Sequence, residues 1–141
     1  MPAMLAWNVL LVEDNPADAN LICLCAGDHA RVELFHAPNA FQATQYLARH
    51  HPFEDVPVPD LVLLDLMLPG FNGFDVLHAL RERAILVQIP VIVLTSSIYA
   101  SDRDRALALG ATEYVIKPVE WGRWQLEISR VFRQHLKGFV D

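Results

Sequence analysis

Apolar positions follow two alternating rhythms along this chain. Short runs rich in Val, Ile, Leu and aromatic residues at 8–12, 32–36, 61–64, 91–94 and 114–116 read as strands, and the segments between them repeat their apolar positions with helical spacing. The first helical segment opens with Asn15-Pro16, an N-cap residue followed by proline in the first turn, and Asp18 stands where the helix dipole favours an acid. A second helix is predicted over 39–49, and a third starts near Gly73 with Phe74, Leu77 and Leu80 on one side. The fourth is predicted to open at Ser101, with Asp104 three residues on as its capping partner, and to stop at Gly110. The last, about 120–136, carries Trp121, Trp124, Ile128, Val131, Phe132 and Leu136 on one face and Leu126 off it. Most of that face is predicted core, and the two tryptophans beside Gly122 at the helix start are candidate interface residues.

Five strand–helix repeats joined by crossovers of this length predict an α/β fold, a doubly wound parallel sheet with helices on both faces. The strands are apolar at nearly every position, as strands covered on both faces are. The stretch 50–59, with three prolines and two acids, reads as an extended surface loop.

Composition narrows the function classes. In 141 residues, 53% are hydrophobic and 20% charged, with 11 Lys+Arg against 17 Asp+Glu and a net charge of −6. These values predict a single acidic domain spanning 1–141, with its core expected over about 7–137 and no second domain. The absence of a basic run argues against direct nucleic-acid binding, and no apolar stretch approaches the length of a membrane span. With no signal-peptide pattern at the N-terminus, a cytoplasmic location is expected. Cys23 and Cys25, two apart in a helical pattern, make a poor disulfide or metal pair and read as small buried or half-buried apolar residues.

In an open α/β sheet, functional groups gather beyond the carboxyl ends of the strands. Here those ends carry Glu13-Asp14, Asp65, Thr95-Ser96 and Lys117-Pro118, while the second strand ends in His36-Ala37, which adds nothing evident. Converging carboxylates repel unless a cation compensates, and an acid closing the apolar run 61–64 is costly unless its charge is used. An all-oxygen, carboxylate-rich set suits a hard divalent cation such as Mg²⁺ (or Mn²⁺). Lys117 and Thr95 supply a charge and a hydroxyl for the oxygens of a phosphoryl group, and Asp65 can act as nucleophile to form an acyl phosphate.

Rival readings differ at identifiable positions. A Mg²⁺-dependent phosphatase or nuclease would typically place a second acid two residues after Asp65, where Met67 stands, and would turn over phosphate esters. A nucleotide or flavin module needs a glycine-rich loop after the first strand, where Glu13-Asp14-Asn15-Pro16 would repel phosphate. A third alternative keeps the fold as an unphosphorylated binding module. His50 and His51 read as a solvated pair rather than a metal site.

The segments VLLVEDNPAD (9–18), DLVLLDLMLPGFNGFDVL (60–77), PVIVLTSS (90–97) and GATEYVIKP (110–118) cover almost the whole chain, and with them it strongly resembles the receiver domains of two-component response regulators. The resemblance implies a flavodoxin-like fold with strand order 2-1-3-4-5 and five helices. It implies Mg²⁺ held by Glu13, Asp14, Asp65 and the Met67 backbone carbonyl, with Asp65 as phosphoacceptor. Thr95 would bond the phosphoryl group on activation, Lys117 would contact it, and Tyr114 would be the aromatic switch residue. A cis Lys117-Pro118 bond is also implied. Such a protein is not a classical enzyme, although it catalyses its own phosphotransfer and dephosphorylation.

The proline-containing insertion before the third strand is similar to that of small stand-alone regulators paired with bacteriophytochrome histidine kinases. That likeness implies a sensor histidine kinase as donor, a bacteriophytochrome in particular, and a downstream protein or histidine phosphotransfer partner. It also implies a homodimer through the fourth helix, fifth strand and fifth helix, with Trp121 and Trp124 as the interface residues.

Overall fold

The computed structural model describes residues 6–29, 31–67, 73–83 and 87–139. The 68–72 part of the second matching segment and residues 1–5 of the N-terminus lie outside these described residues. The strands are β1 (Trp7–Val12), β2 (Val32–Ala37), β3 (Leu61–Leu64), β4 (Val91–Thr95) and β5 (Glu113–Ile116). Between and after them run α1 (Pro16–Gly27), α2 (Ala40–Ala48), α3 (Gly73–Glu82), α4 (Ala100–Ala108) and α5 (Trp121–His135). All four strand pairings are parallel, in the order β2-β1-β3-β4-β5. No described helix is long and apolar enough to cross a membrane.

Strand alternation divides the core. Leu10, Val12, Val62, Leu64, Val91 and Val93 face one way, into α2, α3 and α4. Val9, Leu11, Leu61, Leu63, Ile92 and Leu94 face the other way, into α1 and α5. Successive side chains on a strand point to opposite faces, so a strand covered on both sides is apolar throughout.

The caps explain where helices begin. Asn15 Oδ1 accepts from the Ala17 and Asp18 amides at 2.9 and 3.1 Å, and the Asn39 side chain accepts from Gln42 N at 2.7 Å. The fourth helix departs from expectation. Its N-cap is Tyr99, which makes no side-chain cap, and Ser101 already lies inside the first turn, where its hydroxyl cannot cap the helix start. Ser97 Oγ instead bonds Asp102 Oδ2 at 2.5 Å, tying the β4–α4 loop to that turn. Gly110 follows the helix at φ 99°, a left-handed conformation suited to glycine, and its carbonyl accepts from the Arg81 guanidinium at 2.6 Å.

Two further expectations are revised. The 50–59 loop is not simply a surface feature, because Phe53, Val56 and Val58 pack on the α2–α3–α4 side of the core and the Phe53 ring meets Phe35 edge-on and Tyr46 at a tilt. Among the described residues the cis peptide bond is His51-Pro52, and Lys117-Pro118 is not cis. Of the cysteines, Cys23 is exposed and Cys25 buried, with burial pushing the Cys25 thiol up to about 11. Gly73 opens α3 directly against the end of β3: a Cβ there would stand 2.6 Å from Leu66 Cα and closer still to the Asp65 carbonyl oxygen. Only glycine lets that helix start so near the residue after the strand.

Candidate functional site

Strand order reverses between β1 and β3, which opens a crevice beyond their carboxyl ends. Glu13 follows β1, and its amide donates to the Ala37 carbonyl at 3.1 Å, which keeps it against the end of β2. Asp65 follows β3, and its amide donates to the Val12 carbonyl at 2.9 Å. Both carboxylates turn inward, at 1% and 4% exposure, and Asp14 lies nearer the solvent. Lys117 follows β5, anchored by its amide to the Thr95 carbonyl at 2.8 Å. Its Nζ reaches back to Glu13 Oε1 at 2.7 Å, Asp18 Oδ2 at 2.7 Å and Asp65 Oδ2 at 3.0 Å.

Burial dominates the electrostatics. It pushes the Glu13 carboxyl up to about 7, reinforced by the hydrogen-bonded Asp65 carboxyl and opposed by Lys117. Burial also works against the Lys117 ammonium, but hydrogen bonds to Asp18, Glu13 and Asp65 outweigh it and hold the lysine above its usual range. One ammonium thus faces several carboxylates, and the cluster stays short of positive charge.

A divalent cation fits that deficit. Glu13, Asp14 and Asp65 can each offer a carboxylate oxygen, with these atoms all within 4.8 Å of one another. The set is all oxygen, as a hard divalent ion requires. Asp65 Oδ1 accepts from the Met67 amide at 3.0 Å, which fixes the turn that carries the Met67 carbonyl.

The remaining predicted residues have distinct surroundings. Thr95 is fully buried, and its Oγ1 accepts from the Ser97 amide at 3.3 Å. Tyr114 is half-buried and donates its hydroxyl to the Ser97 carbonyl at 2.8 Å, so Thr95 and Tyr114 meet through one loop residue. Trp121 is 42% exposed, but Trp124 is 3% exposed and packs in the core with Ile128 and Val131. Trp124 is therefore a core residue of the α1–α5 side and not an interface residue, because the helix face that bears it lies against the sheet.

Two contributors were not legible as such. Asp18, read only as a dipole partner in the first turn of α1, is an anion on Lys117. Its signal was position: that turn begins directly beyond the Glu13-Asp14 strand end. His36, read as adding nothing, places Nε2 2.6 Å from the Glu13 carbonyl oxygen. Its signal was a polar ring at the end of a strand neighbouring β1.

Removing Lys117 leaves buried carboxylates uncompensated. Lys117→Met is expected to lose about 3–5 kcal/mol of stability in EDTA, measured by urea denaturation. Millimolar Mg²⁺ should recover part of that loss by returning positive charge to the crevice. A variant as stable as the parent in EDTA would contradict this electrostatic account.

Comparison with known proteins agrees with this geometry. Residues 9–128 match the response regulator receiver domain family. The chain is 32% identical over 133 residues to the phosphate regulon transcriptional regulatory protein PhoB of Klebsiella pneumoniae, covering 92% of this chain and 53% of that protein. It thus spans about half the length of that curated relative. Among solved structures, the phosphorylated cyanobacterial phytochrome response regulator RcpA superposes with a TM-score of 0.90 at 28% identity, covering 96% of this chain and 97% of RcpA. The Mn²⁺-bound form of the response regulator Rcp1 gives a TM-score of 0.86 at 28% identity, covering 95% and 97%. A five-stranded doubly wound sheet with an acidic crevice closed by a lysine, matched over most of its length by one family, makes this chain a member of the response regulator receiver domains of two-component signalling.

Proposed function

We propose that Asp65 accepts a phosphoryl group from the phosphohistidine of a sensor histidine kinase. One observation carries the reading: a buried carboxylate at the end of β3 has Lys117 Nζ 3.0 Å away and two further acids grouped with it for a cation. In the transfer, an Asp65 carboxylate oxygen forms a bond to phosphorus as the N–P bond of phosphohistidine breaks. The leaving imidazole keeps that electron pair and takes a proton from solvent. Glu13, Asp14, Asp65 and the Met67 carbonyl would hold Mg²⁺ or Mn²⁺, which supplies neutralising charge for the phosphoryl oxygens. Lys117 offers them a further cation and hydrogen-bond donor. Water attack at phosphorus would break the bond to the Asp65 oxygen, release inorganic phosphate and return the carboxylate, giving the chain its own dephosphorylation.

The product adds roughly −1.5 to −2 charges to a crevice already rich in carboxylates. The Thr95 hydroxyl turns to a phosphoryl oxygen and gives up the Ser97 amide, which loosens the loop that also anchors Tyr114. To move a conformational balance from 1:99 to 99:1, phosphorylation must favour the active state by ~5.5 kcal/mol. The output surface is the face of α4, β5 and α5, where a groove of about 740 Å³ is lined by Ile98, Tyr99, Ile116 and Val119 among others. The likeness to RcpA supports a phytochrome-type kinase as donor, and a cytoplasmic exchange belongs to the same reading. A downstream protein or a histidine phosphotransfer partner would then read the phosphorylated state.

Incubation with Mg²⁺ and acetyl phosphate is expected to add one phosphoryl group by intact mass, abolished in Asp65→Asn and in EDTA. Turnover of phosphate esters at enzyme rates would instead favour a phosphatase. No adduct, either from acetyl phosphate or from a phosphorylated histidine kinase, would favour an unphosphorylated binding module.

A homodimer through the same face would bury Trp121 at the start of α5. Sedimentation of the phosphorylated protein should show a dimer that Trp121→Ala weakens. A monomeric parent, or an unchanged dimer in the variant, would remove this interface.

A further inference from the structure

We infer that His36 is a positioning residue for the divalent-cation site, acting through the Glu13–Asp14 peptide. The inference rests on the cation site proposed above and adds a residue to it. In the parallel register Leu11 lies opposite His36 and Val12 opposite Ala37, so the β1–β2 ladder ends just as the acidic pair begins. Glu13 stands beyond that ladder, yet neither of its backbone groups is loose. Its amide donates to the Ala37 carbonyl at 3.1 Å, and its carbonyl lies 2.6 Å from His36 Nε2.

A carbonyl oxygen can only accept, so the ring nitrogen there must carry the proton. His36 and Ala37 therefore grip Glu13 from both sides, one through the side chain and one through the main chain. The gripped carbonyl belongs to the peptide that joins the two acids. Rotation of that peptide would swing Glu13 and Asp14 relative to each other and spread oxygens that now lie within 4.8 Å of one another and of Asp65. The imidazole is half-buried, and the backbone that carries it is paired within the β1–β2 ladder. Hydrogen bonds behind metal ligands act in this way, and their loss typically weakens metal binding about 10–100-fold.

The test compares the parent protein, His36→Phe and His36→Gln at one pH. The phenyl ring keeps the bulk without a donor, and the glutamine amide restores a donor. Mn²⁺ affinity is read from the free-ion electron paramagnetic resonance signal, and folding from the urea midpoint. We expect His36→Phe to bind Mn²⁺ about 10-fold more weakly and His36→Gln to recover most of that loss. The Mg²⁺ concentration for half-maximal phosphorylation by acetyl phosphate should rise in parallel, while the rate at saturating Mg²⁺ stays near that of the parent. Unchanged Mn²⁺ affinity in folded His36→Phe would overturn the positioning role, as would equal weakening in both variants. A parent protein that binds no Mn²⁺ would overturn the cation site itself, a separate failure.

Discussion

The Lys117 ammonium, bonded at once to Glu13, Asp18 and Asp65, makes the rest of the crevice tenable. A parallel sheet sends every strand in the same direction, so residues that follow the strands crowd together at one edge. Here the neighbours β1 and β3 both end in acids, and their buried carboxylates would repel one another without a cation. The lysine comes from β5, at the far side of β4, and only a long flexible stem can span that distance. Its own amide is fixed to Thr95, so the strand that carries the hydroxyl also aims the charge.

That arrangement leaves a deliberate imbalance. A single ammonium does not satisfy the cluster, and burial with the neighbouring Asp65 carboxyl pushes the Glu13 carboxyl up to about 7. Such a site is ready for more positive charge and, once that is bound, for a dianionic group. In the proposed transfer, the arriving group would compete for the same ammonium and the same threonine hydroxyl that now stabilise the resting form. The hydrogen bonds that join Ser97 to Thr95 and to Tyr114 would then give the crevice a short route to the proposed α4–β5–α5 output face.

Much of this was readable from the chain because the relevant signals are local. Strand runs, the Asn15 cap and the Gly110 stop each depend on a few neighbouring residues, and the acids and lysine sit at fixed offsets from strand ends. What escaped depended on three-dimensional context. Helical periodicity puts Trp121 in line with Ile128 but does not say where along the axis the core ends, so it could not separate exposed Trp121 from buried Trp124. Ser101 and Asp104 had the spacing of a cap, yet the extended Tyr99 backbone started the helix earlier. Asp18 and His36 act on residues brought close by the sheet, through an ion pair and a backbone carbonyl that no spacing rule contains.

The most direct measurement of the central claim is chemical trapping of the modified residue. Borohydride reduces an acyl phosphate to an alcohol, so protein treated with a phosphorylated histidine kinase and Mg²⁺, then reduced and digested, carries a permanent mark at the acceptor. The account predicts homoserine in place of Asp65 in the peptide that contains it, with Glu13, Asp14 and Asp18 unaltered. A mark on any of those three acids, with Asp65 intact, would contradict it.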